Sequence, residues 1–254
     1  NALKACVKDR EAAGEVSLRN RVELGGVEET LLLGKNEFEK AQAAGVDVIT
    51  ATDEKYPSNL LRISDPPPVL FTLGKKAFLK ELSVAIVGSR AATHYGLRVS
   101  EKLAGDLARN EVAVVSGLAL GIDSKAHGGA LKEAGTTVAV LGCGVDVVYP
   151  RQNKKLYDQI RQNGVLVSEY PMGCKPDAFR FPARNRIIAG LSQGVVVVEA
   201  ANRSGSLITA QLALDFNREV FAVPGQVDSY KSEGSHWLLK QGARLAENGQ
   251  DILE

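Results

Sequence analysis

From Ser83 onward the chain alternates short apolar runs with longer amphipathic stretches. The runs are Val84-Ala-Ile-Val87, Val112-Ala-Val-Val115, Thr137-Val-Ala-Val-Leu141, Val165-Leu-Val167, Val195-Val-Val-Val198 and Val220-Phe-Ala-Val223. A strand with one wet face alternates polar and apolar residues, so runs without that alternation predict strands covered on both faces. Segments such as Gly96 to Arg109 and Lys154 to Gln162 predict helices between them. Strand and helix in regular turn predict an α/β fold with a doubly wound, mainly parallel sheet and right-handed crossovers.

The first third reads differently. Ala2 to Ala13, Val27 to Leu33 and Glu37 to Ala44 predict short helices broken by glycine, dense in charge and with a thin apolar stripe. Such a unit depends on a neighbour for burial, which divides the chain into a small N-terminal helical region over 1–42 and a main domain over 43–254. Val46-Asp-Val-Ile-Thr50 alternates as a strand does. Tyr56-Pro57 and Asp65-Pro-Pro-Pro68 then force extended or turn backbone ahead of Val69-Leu-Phe71, so 46–71 reads as an extended leader onto the larger domain.

Composition narrows the function classes. The 254 residues are 44% hydrophobic and 24% charged, as in an ordinary globular protein. With 31 Lys and Arg against 30 Asp and Glu the net charge is +1, which excludes a whole-molecule positive field, so any anion site must be local. Cys6, Cys143 and Cys174 are too few for a disulfide framework or a four-cysteine zinc site, and point to a reducing, cytoplasmic compartment. No apolar run reaches a membrane span. The chain opens on Asn1, as a trimmed piece would.

Ligands of doubly wound sheets bind beyond the carboxyl ends of the strands. Here those ends are rich in small and polar residues: Gly88-Ser-Arg90, Ser116-Gly117 followed by Gly121, Gly142-Cys-Gly144, and Glu199-Ala-Ala-Asn-Arg-Ser-Gly-Ser206. Glycine lets backbone N–H groups approach an anion, and each following helix offers a positively polarised N-terminus. Several such loops on one edge favour a phosphate-bearing ligand, although tight turns use the same residues for steric reasons. Neither G-x-G-x-x-G nor a P-loop lysine motif is present, so dinucleotide and triphosphate chemistry lose support. Arg90 suits bidentate phosphate contact, or pairing with a carboxylate.

The densest constellation is Phe179-Arg-Phe-Pro-Ala-Arg-Asn-Arg-Ile-Ile-Ala-Gly190. Arg180, Arg184 and Arg186 gather with Lys175 close to a helix N-terminus, where a bound anion would offset the unfavourable macrodipole interaction. Phe179 and Phe181 interleave aromatic surface, the combination of a single-strand nucleic-acid groove; alternatively the rings are core and the arginines pair internally. Catalytic patterns are weak. His94, His127 and His236 stand in no metal-binding frame, so no metal is expected. Asp123 reads as a helix cap and His127 as a packing residue. Glu199 reads as a partner for one of the arginines, and Cys143 as a small residue in a tight turn.

These residues together resemble the DNA-processing protein A family, also called DprA or Smf. The resemblance rests on Gly88-Ser-Arg90 with Tyr95-Gly96, Ser116-Gly-Leu-Ala-Leu-Gly-Ile-Asp123, Leu141-Gly-Cys-Gly-Val-Asp146 with Tyr149-Pro150, Ser168-Glu-Tyr-Pro171, Arg184-Asn-Arg-Ile-Ile-Ala-Gly-Leu-Ser192, Val198-Glu-Ala200, Ser204-Gly-Ser-Leu-Ile-Thr-Ala210 and Val223-Pro-Gly225. It runs from about Tyr56 to Leu253; before Lys40 the family's N-terminal helical module is hard to match. It implies an extended Rossmann-like domain that binds and protects single-stranded DNA and loads a RecA-type recombinase in natural transformation and recombination. It also implies no cofactor and no established catalytic reaction.

The expected DNA contacts are Arg90, Lys175, Arg184, Arg186 and Arg203, with Gly88, Ser89, Ser116, Gly117, Asn185, Ser204, Gly205, Ser206 and Thr209 around them and Phe181 stacking a base. The resemblance also implies a homodimer. That surface maps to His236, Trp237, Leu238 and Leu239, with Trp237 and Leu238 as exposed anchors. The rival reading is a nucleotide-cleaving phosphoribohydrolase of LOG type, which shares the sheet. Its glycine-rich loop leads to a catalytic glutamate, whereas here the loop is Ser204-Gly-Ser-Leu-Ile-Thr-Ala-Gln211 with no acid.

Overall fold

The computed structural model describes residues 26–254. A helix, α1 (Val27–Ala43), leads into strand β1 (Asp47–Thr50), the short helix α2 (Ser58–Leu61) and strand β2 (Val69–Gly74). There follow β3 (Ser83–Val87), α3 (His94–Arg109), β4 (Ala113–Ser116), α4 (Ile122–Lys132), β5 (Thr137–Val140), α5 (Lys154–Asn163) and β6 (Val165–Ser168). The last part holds α6 (Arg180–Leu191), β7 (Gly194–Val197), α7 (Gly205–Asp215), β8 (Glu219–Ala222), α8 (Glu233–Lys240), β9 (Arg244–Leu245) and α9 (Gln250–Leu253). The expected helix Ala2 to Ala13 lies outside the described residues. The two short helices expected around Gly34 are one, because a single glycine weakens a helix by only about 1 kcal/mol.

The nine strands of the described residues form one sheet in the order β1-β2-β6-β5-β4-β3-β7-β8-β9. From β6 across to β9 neighbours are parallel, whereas β1 and β2 add antiparallel at one edge. The 46–71 leader thus supplies two strands of the main sheet.

Successive side chains of β3 go to opposite faces. Val84 and Ile86 join Leu103, Leu107, Ala126 and Ala130 of α3 and α4, while Ala85 and Val87 join Ile187, Ile188, Ala210 and Ala213 of α6 and α7. A third cluster packs Tyr157 and Ile160 of α5 against Ala139 and Leu166. With helices on both faces, the unalternating β-branched runs have no wet side.

The strand order reverses between β3 and β7. That is the topological switch point, the place where such sheets hold ligands. The loops after β3 and β7 and the first turns of α6 and α7 meet there. The turn into α4 needs Gly121, whose φ is +80° and whose Cα lies so close to Ser89 O that a Cβ would overlap it.

Candidate nucleic-acid interface

A cleft of about 840 Å³ opens at the switch point. It is lined by Gly88, Ser89 and Arg90 after β3, by Phe181, Arg184 and Asn185 of α6, and by Arg203 to Ser206 with Thr209 at the start of α7. Beneath Phe181 it joins a smaller pocket of about 110 Å³, reached by Gly117, Gly142, Cys143 and Tyr149.

The first turn of α7 carries no negative charge. Ser204 caps the helix by accepting from Ser206 N–H at 3.3 Å, and a Cβ on Gly205 would meet nothing within 4 Å. Asn185 donates to Gly205 O at 3.3 Å, which ties α6 to this turn. Thr209 is buried one turn further along. The exposed Arg90 lies over the Phe181 ring, 5.4 Å from its centre, and Tyr149 stacks on Phe181 at 5.4 Å and 22°. Pro182 sits in the first turn of α6, where its missing N–H would have no helical partner in any case.

Arg184 forms the floor. It is 4% exposed, and its Nη1 donates to Gly117 O at 3.0 Å and to Val140 O, which closes the ends of β4 and β5. Burial lowers its pKa to about 10, against the pull of Asp123. The Asp123 carboxylate is also buried, accepts from Gly117 N–H at 3.2 Å and Ala119 N–H at 3.3 Å, and is pushed upward by burial. Asp123 is therefore not the N-cap of α4; that position is Gly121. Among the described residues Arg184 Nε has no hydrogen-bond partner.

Other sequence expectations meet different surroundings. Arg186 is ion-paired, with its two Nη atoms on Glu169 at 2.8 and 2.7 Å and Nε on Asp65 at 3.3 Å. Burial opposes its charge, but Glu169 and Asp65 together outweigh that and raise its pKa. Arg184 and Arg186 stand in the second turn of α6, so the macrodipole at its first turn bears little on them.

Ser116 is buried with its hydroxyl on Ile86 O at 2.7 Å, and the Gly117 N–H is taken by Asp123; that loop shapes the site from within. Lys175 is exposed outside the cleft lining, and Phe179 points outward at 66% exposure. Among the described residues Glu199 is ion-paired with no arginine; it accepts from Thr93 at the start of α3.

Leu238 is core rather than an exposed anchor, and Leu239 packs partly against the same core. Trp237 is half-exposed, while His236 Nε2 lies 3.1–3.3 Å from the backbone of Gly225. His127 is buried, donates from Nδ1 to Thr137 Oγ1 at 2.6 Å, and has its pKa lowered to about 3, chiefly by burial and next by Arg184. Cys143 is buried and its thiol is raised to about 11, chiefly by burial.

Tyr149 and Asp123 gained their site roles only in three dimensions. The readable signal was Tyr149-Pro150, which follows the glycine-rich end of β5. Among the described residues no group of His, Cys, Asp or Glu could hold a metal, and no helix is long and apolar enough to cross a membrane.

Fold and cleft define a class: a doubly wound α/β protein with a glycine-lined cleft at its switch point, floored by a buried arginine. The family model of DNA recombination-mediator protein A matches residues 47–254. DNA processing protein DprA of Streptococcus pneumoniae is 49% identical over 201 residues, 79% of this chain and 71% of that protein. Protein Smf of Escherichia coli is 49% identical over 208 residues, 82% of this chain but 56% of that protein.

The X-ray structure of DprA from S. pneumoniae gives a TM-score of 0.86 at 40% identity, covering 99% of this chain and 91% of that one. DNA processing protein A from Helicobacter pylori, described as having a unique single-stranded DNA binding mode, gives 0.75 at 34% identity, covering 82% and 94%. The chain belongs to the DNA recombination-mediator protein A family, DprA/Smf.

Proposed function

We propose that this chain binds single-stranded DNA in the switch-point cleft and, by holding it, protects it and helps load a RecA-type recombinase in natural transformation and recombination. The observation that carries the reading is the lining of one cleft, which brings the acid-free first turn of α7 together with the Arg90–Phe181–Tyr149 stack. Phosphates would lie on the α7 turn, Arg90 and Arg203. Phe181 with Tyr149 would take a base on its face, where stacking is worth about 1–3 kcal/mol. Arg184 holds the floor and lends positive potential.

Contacts of this kind position a strand without reading sequence, and the reading assigns no chemical step to the site. Similarity to the H. pylori protein supports the choice of ligand. The 1–42 and 43–254 division, a cytoplasmic location and self-association through the α8 region around Trp237 belong to the same proposal; the family match beginning at residue 47 supports the division.

The test is a fluorescence titration of a labelled oligonucleotide with the whole chain and with Arg90→Ala. The reading expects Arg90→Ala to weaken binding about tenfold or more. Equal affinity of the two proteins would overturn it. Sedimentation of Trp237→Ala beside the parent chain checks the assembly surface, with a shift toward monomer expected.

A further inference from the structure

In a doubly wound sheet the helix after a central strand aims its N-terminus at the switch point, and such folds commonly seat a ligand phosphate there. Here the strand is β3 and the helix α3, and the position is already filled. Glu199, which follows β7 after Val198, places Oε2 on the Thr93 N–H at 2.9 Å and Oε1 on the Thr93 hydroxyl. That hydroxyl in turn caps the Gly96 N–H at 3.2 Å.

Gly96 leaves room for the carboxylate: a Cβ there would stand 2.5 Å from Glu199 Cδ and 2.8 Å from both oxygens. The backbone locks the arrangement, since Ser89 N–H donates to Glu199 O at 2.8 Å and Val198 N–H to Val87 O at 3.1 Å. Glu199 is only 4% exposed, and the first turn of α3 has no acid of its own. The macrodipole of α3 therefore acts on this one imported charge.

We infer that Glu199 is an internal substitute for a ligand phosphate, a specificity-determining residue that closes the α3 terminus to pyrophosphate and to free nucleotides. A dinucleotide or mononucleotide seeking this turn would have to set its own negative charge against a buried carboxylate. The α7 terminus, by contrast, has no acid in its first turn, and a Cβ on Gly205 would meet nothing within 4 Å. The fold thus keeps the phosphate-binding geometry of nucleotide proteins while refusing their ligands at its first loop. This inference goes beyond the DNA reading and stands without it, because it concerns what is turned away.

Inorganic pyrophosphate is the probe, at fixed ionic strength made up with chloride. Thermal unfolding and calorimetric titration are run on the whole chain, Glu199→Gln and Glu199→Ala, with the Thr93 and Gly96 amides followed by NMR in the parent chain. The parent amides should show no saturable shift. Either folded variant should bind pyrophosphate about tenfold or more tightly than the parent and show a larger pyrophosphate-dependent rise in Tm than the parent does. A folded variant with no gain, or saturable shifts of the parent amides, overturns the inference; the parent amides decide even where both variants fail to fold. Oligonucleotide binding measured alongside separates the two readings, since a parent chain that ignores both pyrophosphate and DNA defeats the DNA reading alone.

Discussion

Arg180, Arg184 and Arg186 share one helix and three fates. Arg180 lies over the rings of Tyr170 and Phe179, Arg184 is buried on carbonyls, and Arg186 is bidentate to Glu169. The sequence shows the cluster but not the division, because the partners of Arg186 stand 17 and 121 positions away. Removing Arg184, as in Arg184→Met, leaves Asp123 buried without its counter-charge, and should cost about 3–5 kcal/mol in denaturant unfolding. Arg186→Ala should cost about 1–3 kcal/mol, between an exposed and a fully buried pair. Arg90→Ala, at an exposed site, should change stability by no more than about 0.5 kcal/mol.

His127 gives a pH test at the same scale. Its pKa is about 3 in the fold against 6.5 for the free side chain, so below pH 6.5 the unfolded chain takes up a proton that the folded chain refuses. Stability relative to His127→Asn should therefore fall with falling pH, by up to about 1.4 kcal/mol per pH unit, until the folded histidine itself titrates. Urea unfolding of both proteins across this window checks the sign.

At the scale of elements, the six buried strands were legible because a strand covered on both faces needs an apolar run and little else. The exceptions are instructive. The two residues of β9 are too few to carry a period, and both are exposed. The pairing of β2 beside β6 depends on a non-local register, Phe71 opposite Ser168, which no local pattern announces.

Helix packing adds a constraint the sequence states only as a glycine. A Cβ on Gly129 of α4 would overlap Glu101 O of α3 and come within 3.0 Å of Ala104 Cβ. Gly129→Ala should force these helices apart and cost about 1–3 kcal/mol, read from the midpoint of thermal or urea unfolding.

For the whole molecule the charge balance of +1 sets the terms of binding. Near-neutrality gives no broad field to draw in a polyanion, so the proposed binding rests on one cleft. From sequence, five cations were candidates for that cleft. The fold withdraws Arg186 into an ion pair, sinks Arg184 beneath the floor and leaves Lys175 outside the lining, which concentrates the exposed charge in Arg90, Arg203 and the α7 terminus. The position of the cleft was legible, since glycine and serine crowd the strand ends that line it. Its membership was not, because burial and pairing are decided by residues distant in the chain.

The salt dependence of oligonucleotide binding to the whole chain reports how many phosphates the cleft holds. About two to three phosphates held on a single strand predict a log–log slope near −1.4 to −2, with a shallower slope for Arg90→Ala. Binding that does not change with salt, or no binding at low salt, would contradict the account.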